Sequence, residues 1–262
     1  MPQPPFSFET FQRELDTPYL GRTMVYRAVT ETTMTLARRE ADEGAPHGTL
    51  VLANEQTAGR GRRGRSFVSP PGENLYFTLV LRYPIELHRR LPVALPVAVA
   101  RTLRAEGLEA LIKWPNDIWA GERKVCGMLI DAEVSADGCL ALAGIGINVN
   151  GDPSLSPELA GIATSVGLEL GHPVAPEPLL AHVCNELALA LPLETPALLG
   201  AYREMSMVLG REVLICPANS EAYAAEALSI EDDGALCVRR PDGGTETVVA
   251  ADVSIRPHVP RI

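Results

Sequence analysis

Gly59-Arg-Gly-Arg-Arg-Gly-Arg-Ser-Phe-Val-Ser-Pro-Pro-Gly72 is the stretch on which the fold turns. Its glycines at 59, 61 and 64 satisfy the spacing G-x-G-x-x-G. A dinucleotide-binding turn of that spacing opens a helix at its third glycine, with an acidic residue about 20 positions further on. Here the third glycine runs into two prolines, which forbid a helix, and then into Asn74-Leu-Tyr-Phe-Thr-Leu-Val-Leu-Arg82, an aromatic and β-branched strand. A Rossmann domain is therefore excluded. Neither lysine of the chain stands in a Gly-Lys-Ser/Thr context, so a Walker A loop is excluded too.

Working outward, the apolar spacing predicts a helix over residues 30–43 and a buried strand over 48–53. A long apolar helix is expected over 87–106, started or kinked at its prolines. Strands follow at 109–114, 124–134 and 139–149, then amphipathic helices near 157–169, 177–190 and 196–208. The pattern changes after Leu209-Gly210. Four short strands (212–216, 225–230, 235–240, 246–253) are separated by the turn signals Asp232-Asp-Gly and Asp242-Gly-Gly. The expected organisation is one large domain over 1–209, whose first 20 residues are a proline-rich lead-in, and a small β-barrel-like domain over 210–262.

The chain has 262 residues, 46% of them hydrophobic and 21% charged, as a chain burying a true core requires. No apolar run approaches the roughly 18 residues of a membrane helix, and the N-terminus lacks the basic and apolar parts of a signal peptide. Five scattered cysteines without a C-x-x-C pair argue against a disulfide framework or zinc site and for a reducing, cytoplasmic location. Residues 1–150 carry 17 basic and 17 acidic side chains, whereas residues 151–262 carry 6 and 16. So acidic a chain is a poor general binder of nucleic acid, because affinity for a phosphate backbone comes from accumulated Lys and Arg.

Against that background, four arginines fall within six residues, at 60, 62, 63 and 65. Interleaved with glycine they form a loop expected to be mobile when empty and to close over a polyanion, since Arg suits bidentate phosphate recognition. A solvated charged loop is the plainer alternative. Of 23 basic residues only two are lysines, Lys113 and Lys124, and they flank Trp114-Pro-Asn-Asp117. A general preference for Arg explains the scarcity but not that placement. Lys is a compact point charge and Arg a planar fork, so sites that keep Lys are candidates for a distinct task. Lys124 leads into Val-Cys-Gly-Met-Leu-Ile130, where a lone ammonium is costly unless an anion meets it. A substrate carboxylate is the natural partner, and Asp117 could take a metal ion or hold a loop arginine. Gly144-Ile-Gly-Ile-Asn148-Val-Asn150 reads equally as a close-approach site for a ligand and as a glycine-rich buried strand.

Together, residues 59–65, Lys-Trp-Pro-Asn-Asp (113–117), Arg-Lys-Val-Cys-Gly (123–127) and Gly-Ile-Asn (146–148) resemble the biotin protein ligases, in the family's order and over roughly residues 25–260. The resemblance implies an α+β or α/β fold: a mixed-sheet, class II-synthetase-like catalytic domain followed by a small SH3-like barrel. It implies biotin and ATP as substrates, Mg²⁺ as cofactor and the biotin carboxyl carrier domain of acetyl-CoA carboxylase as acceptor, and it leaves a homodimer open. Thr32, Thr33, Gln56, Arg60, Arg62, Lys124 and Gly127 match the biotin-facing positions. Arg62, Arg65, Phe67, Lys113, Asn116 and Asn148 match the nucleotide-facing ones, with Asp117 near the metal. Arg62 and Lys124 carry the catalytic roles, Lys124 at the biotin carboxylate. On this reading Lys124 has no protein partner, so its loss is expected to change stability little. Met34 departs from the family's usual Asn. Two alternatives stand: a lipoate or octanoate ligase, and a biotin-responsive repressor, which the roughly 20 residues before the family core are too few to equip with a winged helix.

Overall fold

The computed structural model describes residues 6–135, 138–217, 221–249 and 253–257. Twelve strands form two sheets among these residues. In the first, β1 (Met24–Thr30), β2 (Thr49–Gln56), β3 (Leu75–Tyr83), β4 (Ala110–Lys113), β5 (Asp117–Ala120), β6 (Arg123–Ser135) and β7 (Gly138–Ile147) lie in the order β1-β2-β3-β7-β6-β5-β4. Only β1 and β2 run parallel, so the sheet is mixed.

Side chains alternate between the faces of a strand, and this chain uses the alternation strictly. Leu50, Leu52, Leu79, Leu81, Ala141, Ala143, Ile112 and Ile118 belong to the main core. Their neighbours Val51, Val80 and Leu142 belong to a second, smaller core. The main core is covered by α4 (Leu91–Ala105), which packs against α6 (Pro176–Ala190) and α7 (Thr195–Met205). Eleven of the fifteen α4 residues are buried, as expected of a helix apolar on nearly every side. Pro92 sits in its first turn, where the missing N–H costs nothing, and Pro96 lies inside it. The opposite face is covered only in part, by α2 (Thr33–Asp42) on β2, β3 and β7.

Several expectations need correction. The lead-in contains a helix, α1 (Phe8–Glu14), capped by Ser7 and pinned by Phe11, which is fully buried. A short periodic segment between prolines hid that anchor. The helix expected over 30–43 divides into the end of β1 and α2, because Thr32 caps α2 with its hydroxyl on the N–H groups of Met34 and Thr35. The 87–106 helix is a turn, α3 (Ile85–His88), followed by α4. Between the strands expected over 109–114 and 124–134 the chain adds β5, so that two hairpins join Lys113 to Lys124. The helix expected over 157–169 shrinks to α5 (Val166–Leu170).

The second sheet, β11-β10-β9-β8-β12, is antiparallel: β8 (Glu212–Pro217), β9 (Tyr223–Ile230), β10 (Leu236–Arg239), β11 (Thr245–Val248) and β12 (Val253–Pro257). Of the strand expected over 246–253, residues 250–252 lie outside the described residues. The two sheets share one continuous apolar core, and the indole N–H of Trp114 donates to the Gly234 carbonyl at 2.8 Å.

Two outcomes follow from this packing. Phe11→Ala removes a fully buried ring from α1 and is expected to cost about 3–5 kcal/mol, read by chemical denaturation; an unchanged midpoint would mean that α1 is not docked. Burial pushes the Cys184 thiol up to about 12 and raises that of Cys126 further. Iodoacetamide at pH 8 should therefore spare both in the native protein, while half-buried Cys216 and Cys237 react first.

Candidate functional site

Because α2 covers its face only in part, β4, β5, the start of β6 and the end of β7 are left as a floor. Strand alternation puts Leu111, Lys113, Asp117, Trp119, Gly127, Leu129, Gly144 and Gly146 together there, opposite the main core, around a cavity of about 810 Å³. The 57–68 loop crosses above. It has internal order that four like charges do not suggest: Gly61 and Phe67 donate to the carbonyls of Arg65 and Gly59 at 2.8 and 2.9 Å, around a turn at Arg62–Gly64.

Glycine lets that loop and α2 approach the floor. A Cβ on Gly146 would overlap the Phe67 ring, and one on Gly144 would lie 2.6 Å from the Met34 sulfur. Both values are below any tolerable carbon contact, so the two glycines make room for these side chains. Over residues 144–147 the glycine-rich stretch is a buried strand end whose glycines admit the protein's own Met34 and Phe67. Met34 is an apolar wall of the cavity.

At the α2 end the site is polar and internally satisfied. The Gln56 side-chain oxygen accepts from the Thr33 N–H at 2.8 Å and from its hydroxyl at 3.2 Å, and Thr78 donates to the Thr33 hydroxyl at 2.9 Å. The Gln56 amide donates to Ser69 at 2.9 Å. Thr32 is buried, and its oxygen is taken by the α2 cap, so its hydroxyl proton is what it can offer a ligand. Buried hydroxyls and an amide held in one network form a rigid template for a small polar ring.

At the centre, Lys124 Nζ lies 2.7 Å from Asp117 Oδ1, with both side chains about a quarter exposed. The expectation that Lys124 has no protein partner is thus overturned: register places Asp117 opposite Gly127, two positions along β5 from the Trp119 that pairs with Lys124 across a register shift. An ammonium has three donors, so Lys124 can keep Asp117 and still meet a ligand carboxylate. Arg62 Nη1 donates to Asn116 Oδ1 at 3.1 Å, and the Asn116 amide in turn donates to the Met128 carbonyl. The loop is thereby tied to the β4–β5 turn. Lys113 Nζ stands 3.5 Å from the Trp119 ring centroid.

Of the expected site residues, Thr32, Thr33, Gln56, Arg60, Arg62, Arg65, Phe67, Lys113, Asn116, Asp117, Lys124 and Gly127 all line the cavity. Asn148 does not. Its amide donates to the Thr164 carbonyl at 3.0 Å, and it braces the floor from outside. Asp117 is a poor resident metal ligand, since Lys124 already neutralises it and no group of three His, Cys, Asp or Glu suited to a metal occurs among the described residues. Sequence reasoning missed Trp119, Leu159, Ile162, Met207 and Arg211. Trp119 was within reach, two positions beyond Asp117 on the same strand face. The others come from segments that only the fold brings near.

Residues 26–150 match the biotin/lipoate A/B protein ligase family, and residues 208–256 match the biotin protein ligase C-terminal domain. The chain is 32% identical over 251 residues to the bifunctional ligase/repressor BirA of Bacillus subtilis (strain 168), covering 92% of this chain and 76% of that protein. It is 34% identical over 223 residues to the biotin–[acetyl-CoA-carboxylase] ligase of Paracoccus denitrificans, covering 80% of this chain and 91% of that one. The biotin protein ligase from Aquifex aeolicus, in complex with biotin and ATP, is similar with a TM-score of 0.76 at 25% identity, covering 90% and 100% of the two chains. With structural similarity and both sequence segments in agreement, the chain belongs to the biotin/lipoate A/B protein ligase family, among its biotin protein ligases.

Proposed function

We propose that this protein activates biotin with ATP and transfers it to a lysine of a biotin carboxyl carrier domain of acetyl-CoA carboxylase. The observation that carries the reading is the single sheet face on which the Thr32–Thr33–Gln56 network, Lys124 and Arg62 line one cavity. The network suits the ureido ring, donating through Thr32. Lys124 holds the carboxylate, and Arg60, Arg62 and Arg65 close over the phosphates. Phe67 supports the nucleotide from above the floor glycines.

In the first step a biotin carboxylate oxygen attacks the α-phosphorus of ATP, forming biotinoyl-5′-AMP as the bond to pyrophosphate breaks. The chain contributes position and positive charge, with Arg62 held by Asn116 where charge develops on the phosphoryl oxygens. In the second step the carrier's ε-amine attacks the acyl carbon and expels AMP, losing a proton. The nucleophile belongs to the carrier, so no serine or cysteine of this chain is required. Mg²⁺ enters only as the counter-ion that ATP brings. Five free cysteines support a cytoplasmic location, and no helix of the described residues is long and apolar enough to cross a membrane. The formal charge of −10 argues against specific DNA binding.

Purified protein with ATP, biotin and a carrier domain should give a streptavidin-reactive carrier and biotin-dependent ATP–pyrophosphate exchange. Exchange driven by lipoate instead of biotin would reject the reading. Lys124→Ala should slow adenylation or weaken biotin about ten- to a hundredfold, the loss of a charge-assisted hydrogen bond. It should also lower stability by about 1–2 kcal/mol, because Asp117 then lacks its counter-charge in a partly buried site. Lys124→Arg should restore little exchange, since a planar fork does not fit where a point charge holds both a ligand and Asp117; near-normal exchange by that variant would show that charge alone suffices.

A further inference from the structure

Two rungs of the floor differ in what stands on them. Thr78, Gly144 and Leu129 pair side by side across β3, β7 and β6, and two residues along the strands Gly146 pairs with Gly127. The second rung carries charge: Lys124 Nζ lies 2.8 Å from the place a Gly127 Cβ would take, and the Phe67 ring lies 3.3 Å from it. On the first rung Thr33 meets Thr78, and the next residue of α2, Met34, sets its sulfur on Gly144. Strand geometry puts about 7 Å between the two rungs. A ligand held by the Thr32–Thr33–Gln56 network at one end and by Lys124 at the other passes Met34 and Leu129, which both line the cavity.

Around the Met34 sulfur the donors are already spent. The side chain is partly buried against the small core that holds Leu36, Val80 and Leu142. Its own N–H goes to the Thr32 hydroxyl at 3.0 Å. The Thr33 N–H and hydroxyl go to Gln56, the Thr78 hydroxyl goes to Thr33, and the Gln56 amide is turned to Ser69. Gly144 is paired on both sides, with Thr78 and with Leu129. The Thr32 hydroxyl proton is claimed by the ureido ring in the proposed function. A thioether donates no hydrogen bond and accepts only weakly, so this wall suits carbon and sulfur and offers nothing to oxygen.

We infer that Met34 is a specificity-determining residue that admits biotin only while its ring sulfur is unoxidised. This rests on the proposed activation of biotin by ATP. The ring of biotin that bears the acid chain is a cyclic thioether. With the ureido ring on the polar network and the carboxylate on Lys124, that thioether ring lies against Met34. An oxygen on its sulfur would give up water and gain no partner there, so biotin S-oxides are turned away before adenylation.

Initial rates of ATP–pyrophosphate exchange with biotin, biotin sulfone and dethiobiotin test this. The sulfone carries oxygens on both faces of its sulfur, and an oxygen left unpaired should lower the wild-type kcat/KM about five- to 150-fold relative to biotin. Met34→Gln supplies an amide donor on a side chain of similar length and should reduce that ratio about tenfold. Met34→Leu, apolar and of similar volume, should keep it. Dethiobiotin has no sulfur to oxidise and should change in step with biotin in both variants, which separates a lost packing surface from a gained donor. Equal use of biotin and its sulfone by the wild type would overturn the inference without any variant. So would a Met34→Gln ratio equal to that of the wild type. Absence of exchange with biotin would instead reject the activity itself. Calorimetric titration of the wild type with biotin and its sulfone then decides the inference separately, and equal affinities or no binding would overturn it.

Discussion

The structure depends on a strand's obligation to point successive side chains to opposite faces. In β3, β7 and β2 that alternation feeds two cores, one under α4 and one under α2. Over β4, β5 and the start of β6 the second face lines the cavity, and α2 reaches β6 only further along, through Arg38 to Asp131 and Glu133. Lys113, Asp117, Trp119 and Gly127 occupy those positions while Ile112, Ile118 and Cys126 stay in the core. One sheet is thus a hydrophobic wall and a reaction surface at once. Sliding any of its strands by a single residue would bury the charges and expose the core.

On that surface, closeness is obtained by removing side chains. Gly144 and Gly146 accept Met34 and Phe67 at distances no Cβ permits. The loop and α2 can therefore descend on the floor without losing the cavity. The charged groups are held in small satisfied units, Lys124 on Asp117 and Arg62 on Asn116, so the site is organised before it meets an anion. Preorganised donors of this kind favour developing charge without reorganising at the moment of reaction. The second sheet is locked to the first through Trp114, and that fixed edge is what lets a residue from outside the main sheet share the site.

What the sequence determined by itself was local. Alternation and β-branched runs exposed most strands of the main sheet, and Pro70 and Pro71 were enough to exclude a dinucleotide fold. Twelve of the thirteen expected site residues line the cavity, because the arginine–glycine loop and the Lys-Trp-Pro-Asn-Asp turn each place several of them within a few positions. The tertiary structure decided the rest, since it depends on pairing between distant segments. The Asp117–Lys124 ion pair follows from the β5–β6 register, which composition does not encode. The exclusion of Asn148 follows from a carbonyl sixteen residues away that claims its amide. The anchoring of α1 by Phe11 and the arrival of Arg211 at the cavity come from docking across the core. A local pattern reports which way a side chain points; which neighbour it meets there is settled only when the strands and sheets are assembled.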